Sequence, residues 1–155
     1  MNLTETEAFQ DQGKISEKLL SDLNNIFFYS KNPPKSLGIE WVNKYIFPLI
    51  DSYNLSTPDI LRTFSEHILI QLSKIIKNKN ASILFTGGGV KNDFLFSLIK
   101  KKLPNIIDKP SNNLIDFKEA LIFGFLGVLK VRNEVNCLKS VTGAVKDHSS
   151  GVIFE

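Results

Sequence analysis

The chain has 155 residues, of which 43% are hydrophobic and 23% charged, ordinary globular values and enough for one domain with a real core. Its net charge of +3, from 19 basic and 16 acidic residues, is too small and too scattered to mark a nucleic-acid-binding protein. One cysteine, Cys137, excludes an internal disulfide and a cysteine-based zinc site and fits a reducing cytoplasm; no apolar run approaches the length of a membrane span.

The polar, acidic start, Met-Asn-Leu-Thr-Glu-Thr-Glu, lacks the basic and apolar regions of a signal peptide. Residues 1–12 read as a leading segment that frays until Gly13, and 13–155 as a single domain. Ser16 to Phe28 reads as a helix with Leu19, Leu20, Leu23, Ile26 and Phe27 on one side. Pro33-Pro34 forces an extended path and stops it. A second helix starts at Ser36, with Ile39, Val42, Ile46 and Ile50 at helical spacing and Pro48 expected to kink or end it. Trp41, beside that stripe, is expected in the core. Thr57-Pro58-Asp59 supplies a hydroxyl N-cap, a proline at N1 and a first-turn acid. That helix should run to about Lys77 on a stripe of Leu61, Phe64, Ile68, Leu72 and Ile75. His67 beside it has no second ligand at i+4 and reads as a hydrogen-bonded helix histidine.

Ile83-Leu84-Phe85 is a short apolar strand ending in Thr86 and three successive glycines, after which an amphipathic helix runs from Asn92 to Leu103 with Phe94, Leu95, Leu98 and Ile99 inward. Lys100-Lys-Lys102 suits the negative end of that helix, as a solvated terminus. Pro104 ends it, and Ile106-Ile107 reads as a second strand, closed by Pro110. So short a strand–helix–strand unit implies parallel pairing and a right-handed crossover. Ser111–Asn113 reads as a loop, and Phe117 to Val131 as a helix apolar nearly all round and therefore buried. Gly124 and Gly127 inside it cost about 1 kcal/mol each and make sense if a backbone or a ligand lies close against that face. The remainder is irregular, with Val152–Phe154 able to add a strand.

Strand, glycine turn and helix is how α/β proteins bring backbone N–H groups to a phosphate or nucleotide. Three missing Cβ atoms let something flat or charged approach the backbone, although a tight βα turn with spare glycines is the competing reading. No Gly-x-x-x-x-Gly-Lys-Ser/Thr loop occurs. Gly87-x-Gly89 with Asp108 further on is half a dinucleotide fingerprint, but Asn92 stands where the third Gly or Ala belongs. Glu119 reads either as an exposed first-turn acid or as a carboxylate projecting into a cleft to hold a sugar hydroxyl or a water. His148 reads as a surface histidine and Cys137 as a bystander thiol; no cluster has metal-ligand spacing.

Four segments, in order, go further. Pro33-Pro-Lys-Ser-Leu-Gly-Ile-Glu-Trp41, Phe85-Thr-Gly-Gly-Gly-Val-Lys-Asn92, Asp116-Phe-Lys-Glu-Ala-Leu121 and Val141-Thr-Gly-Ala144, with Gly13-Lys-Ile15 before them, resemble the C-terminal portion of anhydro-N-acetylmuramic acid kinases. That family belongs to the sugar-kinase, Hsp70 and actin superfamily. The resemblance therefore implies an α/β fold: the helix-rich part of a ribonuclease-H-like, actin-like ATPase lobe with a small, mostly parallel sheet. It implies ATP with Mg²⁺ as cofactor and an anhydro amino sugar as substrate. The 1,6-anhydro bond would be hydrolysed and the 6-hydroxyl phosphorylated, in cytoplasmic cell-wall recycling.

The resemblance places Thr86, Gly87, Gly88, Gly89 and Asn92 at the nucleotide and Glu119 on the sugar side, orienting water or a hydroxyl. Lys35 and Ser36 fall in a family signature with no role assigned. The family's first phosphate loop, Gly-Thr-Ser-x-Asp-Gly, and its catalytic Asp-Thr-Gly-Pro-Gly-Asn motif do not occur in these 155 residues. Phosphoryl transfer needs positioned phosphates, metal and a group orienting the nucleophile. The expectation is thus one wall of a kinase cleft, inactive alone, with self-association or a missing N-terminal half as partner. A non-catalytic nucleotide- or sugar-binding module, or a structural remnant, are the alternatives.

Overall fold

The computed structural model describes residues 12–32 and 35–154 and shows a helix-rich α/β chain with one small parallel sheet. Most of the leading segment 1–12 and the Pro33-Pro34 path lie outside the described residues. The chain divides between Pro110 and Ser111 into two compact units.

The first unit opens with α1, Glu17–Asn24, whose N-cap Ser16 accepts from the Leu19 N–H. This helix stops four residues earlier than the apolar pattern suggests. The Asn25 N–H closes onto the carbonyls of the last turn, and the Asn24 side chain is drawn away to His67. A separate turn of helix follows, α2, Phe27–Ser30. The next helical stretch has three parts: α3, Ile39–Trp41, a π turn over Val42–Ile46, and α4, Phe47–Asp51. Pro48 does not end it; the stretch runs on to Asp51. Proline has no N–H, so a carbonyl one turn back loses its partner; the wide π turn immediately before the proline absorbs that defect, and the helix continues.

The long helix α5, Thr57–Ile75, starts one residue before the expected cap: Ser56, not Thr57, accepts from the Asp59 N–H. Its stripe is also wider than hydropathy indicates. Thr63, Ser65, Glu66 and His67 are buried together with Leu69, whereas Ile75 at the frayed end is 74% exposed. The burial has two directions. Phe64 packs on the core of Leu19, Leu23 and Ile46, and Leu72 on the core of Leu69, Ile99 and Leu103. Each of those aliphatic side chains contributes about 1.5–3 kcal/mol on burial.

The strand β1, Ser82–Leu84, pairs in parallel with β2, Ile106–Asp108, in the register Ser82–Ile106 and Leu84–Asp108, as the short crossover requires. Between them runs α6, Asp93–Lys102. Its buried residues are Phe96 and Ile99; Phe94, expected inward, is only half-buried and lies instead under the Arg62 guanidinium. The lysine-rich end is exposed as expected, with Lys102 3.5 Å from Glu66.

The second unit carries α7, Asn112–Val131, and the short α8, Lys139–Thr142. The loop expected at Ser111–Asn113 is instead the start of α7, because the Ser111 hydroxyl accepts from the Leu114 N–H. Burial of this helix is the expectation that fails most plainly. Phe117, Leu121, Phe123, Phe125 and Val131 are 60–71% exposed, since forty-odd residues with one long helix offer little to cover them. A Cβ on Gly124 or Gly127 would meet nothing within 4 Å. No strand forms over Val152–Phe154; the tail is held by a single antiparallel bridge, Cys137–His148, and by the Asn136 side chain, which bonds the Leu126 carbonyl and both backbone groups of Ser150. No helix of the described residues is long and apolar enough to cross a membrane.

Candidate functional site

The glycine turn is fixed from both sides. On the strand side the Phe85 N–H donates to the Asp108 carbonyl at 3.1 Å, carrying the ladder one residue past β1. Gly87 then takes φ +95°, a conformation that disfavours any side chain. Gly88–Lys91 form one 3₁₀ turn, closed by Val90 N–H to the Gly87 carbonyl and Asn92 N–H to the Gly89 carbonyl. Val90 is its buried anchor, 5% exposed, and Asn92 ends it by accepting the Leu95 N–H at 2.8 Å as the cap of α6.

Only Gly87 is required by the backbone. Gly88 and Gly89 have φ values any residue tolerates, and a Cβ on any of the three would meet nothing within 4 Å. Neither conformation nor packing among the described residues accounts for the last two glycines. As the first residues of a helical turn, they hold N–H groups with no acceptor inside it. Behind the turn, toward α5, is an apolar cavity of about 190 Å³, with Ile68, Leu72, Phe85, Thr86, Gly89 and Val90 on its wall. Thr86 itself is exposed. Thr86, Gly87, Gly88, Gly89 and Asn92 thus form one surface in the first unit.

Glu119 belongs to the second unit. Because α7 begins at Asn112, Glu119 lies two turns in, where the helix dipole no longer favours an acid. Its side chain is exposed and forms no hydrogen bond or ion pair with another described residue, so the first-turn explanation does not apply to it.

Lys35 receives a definite place. Its ammonium donates to the Phe28 and Tyr29 carbonyls, both at 3.2 Å, at the open end of α2, and stands 5.2 Å from the centre of the Phe28 ring. Beside it Trp41 packs against Phe28, Tyr29 and Tyr45, with ring centres 4.9–6.1 Å apart, and onto the Leu19 core. Phe28, Lys31, Lys35, Ser36, Trp41 and Tyr45 line an open cleft of about 570 Å³. The core role expected of Trp41 is therefore joined to a place on a cleft wall.

Beneath this cluster lies a polar network that the sequence signals only through His67. The His67 Nδ1–H donates to Asn24 Oδ1 at 2.8 Å, and the same oxygen accepts from Gln71 Nε2 at 2.6 Å. Burial holds the imidazole pKa down at about 4, with Lys74 adding to the effect. His67 is the hydrogen-bonded helix histidine its spacing suggests. Among the described residues no three acids, histidines or cysteines stand together as a metal site.

The parallel strand–glycine turn–helix unit makes this chain an α/β protein, helix-rich around a small two-stranded sheet. The sequence matches the anhydro-N-acetylmuramic acid kinase family over residues 4–155, and the chain belongs to that family. Three similar relatives all bear the name anhydro-N-acetylmuramic acid kinase. That of Mannheimia succiniciproducens is 32% identical, covering 92% of this chain and 42% of its own. That of Sulfurovum sp. is 30% identical, with 92% and 40% covered, and that of Vibrio parahaemolyticus 28%, with 92% and 41%. The chain thus spans about two-fifths of the length of the curated relatives it matches.

Proposed function

We propose that this chain is the nucleotide- and sugar-cleft lobe of an ATP-dependent anhydro-N-acetylmuramic acid kinase, built on a ribonuclease-H-like plan. In the complete reaction water opens the 1,6-anhydro bond and the freed 6-hydroxyl takes the γ-phosphoryl of ATP, a step of cytoplasmic cell-wall recycling. The observation that carries the reading is the pair Gly88 and Gly89, open toward solvent with no internal reason to be glycine, within a chain of this family. Thr86 and the glycine backbone are the surface for the ribose and phosphates, with Asn92 holding the turn in register. Glu119, exposed and without a partner among the described residues, is the group that orients the attacking water or a sugar hydroxyl.

The fit to a nucleotide is that of a cradle which side chains would fill. The described residues hold no cluster of three or more acids, histidines or cysteines for the Mg²⁺ that accompanies ATP. Lacking the first phosphate loop and the catalytic aspartate motif, the 155 residues supply one side of the reaction and do not turn over alone. Calorimetry with ADP tests the reading directly. Wild-type chain should bind, while Gly88→Ala and Gly89→Ala should keep the wild-type melting temperature and lose affinity by about tenfold, the cost of one close backbone contact. Undiminished binding in both variants would refute the assignment of the turn. Robust turnover of ATP and anhydro sugar by the 155 residues alone would refute the incompleteness.

A further inference from the structure

The chain's single tryptophan, Trp41, stands on the wall of the open cleft of about 570 Å³ next to Lys35. That wall is aromatic. Trp41 and Tyr45 have ring centres 5.5 Å apart and planes at 40°, and Trp41 and Phe28 lie 4.9 Å apart at 47°. Phe27 and Tyr45, on the same wall, are 77 and 46% exposed, so flat ring surface is open to the cleft. The polar groups around it are hydroxyls and ammonium groups, with no carboxylate among the lining residues. The Lys35 ammonium gives two of its three N–H groups to the Phe28 and Tyr29 carbonyls, which fixes its place and leaves one N–H over. The Lys31 ammonium and the Ser36 and Tyr45 hydroxyls form no hydrogen bond with another described residue. Lys44 adds a further positive charge 5.3 Å from the centre of the Tyr45 ring. An apolar wall, a few polar groups without internal partners and a volume between about 300 and 1,000 Å³ are the marks of a small-molecule site.

We infer that this cleft binds a small carboxylic acid carried on a ring, with the ring face on Trp41 and Tyr45 and the carboxylate at Lys31 and Lys35. The sign of the charge follows from the lining: two ammonium groups with no acid beside them favour an anion, and a charge-assisted hydrogen bond is the strongest contact they can make. The ring follows from the open aromatic faces, which take the flat apolar side of an aromatic acid or of a sugar acid. The group is a carboxylate and not a phosphate because no glycine lies on this wall to bring successive backbone N–H groups against a phosphate, as Gly87–Gly89 can. Lys35 thereby has two roles at one atom: it closes the end of α2 and presents its remaining N–H to the ligand.

The test titrates the full chain with D-glucuronate and with benzoate, each beside its neutral counterpart, glucose and benzyl alcohol. Trp41 emission is the readout, free of any other tryptophan signal. A saturable change is expected with at least one of the acids, half-complete at about 1 mM or below, and at least tenfold weaker with its neutral counterpart. Which acid saturates tells a sugar acid from an aromatic one. Lys31→Gln, at an exposed position without a partner among the described residues, should weaken the binding at least fivefold with an unchanged melting temperature. Tyr45→Leu should weaken it by a similar factor, whereas Lys18→Gln, which removes an exposed lysine outside the cleft, should leave it as it is. Raising the salt from about 50 to about 500 mM should also weaken it severalfold, because the contact is between exposed charges. No saturable change with either acid, equal binding of the neutral counterparts, or wild-type affinity in Lys31→Gln would each overturn the inference.

Discussion

The network around His67 makes a prediction with a sign and a size. The imidazole is 2% exposed, donates from Nδ1 to Asn24 and has its pKa held down from 6.5 to about 4. Above pH 6.5 it is neutral in both the folded and the unfolded chain, and its contribution to stability is fully present. As the pH falls from 6.5 toward 4, the unfolded chain takes up a proton that the folded chain refuses, so the equilibrium moves toward unfolding. The gap, at 1.36 kcal/mol per pH unit, amounts to roughly 3 kcal/mol. Against a total stability of about 5–15 kcal/mol, that is a large fraction. Urea denaturation at half-unit steps from pH 8 to pH 4 should give a plateau, then a decline below pH 6.5. His67→Gln, which keeps a donor toward Asn24 but cannot ionise, should remove the decline at some cost in stability at pH 8. Asp59 does not confuse the window. Its carboxylate accepts from the Lys14 N–H and from Ser56, which holds its pKa below 3.8, so its contribution is lost only in stronger acid. A flat profile between pH 6.5 and 4.5, or the same decline in His67→Gln, would refute the burial argument.

Three further substitutions test local packing. A Cβ on Gly13 would lie 2.0 Å from the Pro58 carbonyl oxygen and 2.9 Å from Arg62 Cβ, so Gly13→Ala should cost about 2 kcal/mol and lower the melting temperature by roughly 5 °C. Asn92→Ala removes the cap of α6 and should cost about 1 kcal/mol, read from the denaturant midpoint without nucleotide. Lys35→Met keeps the length of the side chain and loses two carbonyl contacts at the end of α2; about 1 kcal/mol and a shifted Trp41 fluorescence maximum are expected.

The sequence made the central unit legible because its signals are local. A short apolar strand, a glycine run, a capped helix and a second strand separated by so few residues admit only the parallel pairing observed. The four ordered motifs carried the family in the same way, since each is a contiguous string. What stayed hidden depends on partners far along the chain. Thr63 and Glu66 are buried with partners from Ser16 and Lys102, 47 and 36 residues away, and hydropathy counts such residues as surface. The early stop of α1 turns on Asn24 reaching a histidine 43 residues away. The error on α7 runs the other way. An apolar helix implies burial only if something is there to bury it, and composition is silent on whether the cover lies in the same 155 residues. The glycine turn was legible as a turn but not in its reasons: only the structure separates Gly87, needed for its φ, from Gly88 and Gly89.

The π turn over Val42–Ile46 places one more residue in that turn than an α-helix would hold. Everything before it is therefore rotated by about 100° relative to a regular helix continued backward from Phe47. Through that offset, Ile46, Leu49 and Ile50 face the Leu19 core while Trp41 meets Phe28 and Tyr29. The aromatic wall of the Lys35 cleft is thus a matter of counting as much as of composition. Deleting Asn43 or Lys44 would leave every aromatic side chain of that wall in the sequence, yet swing Trp41 off the wall it completes.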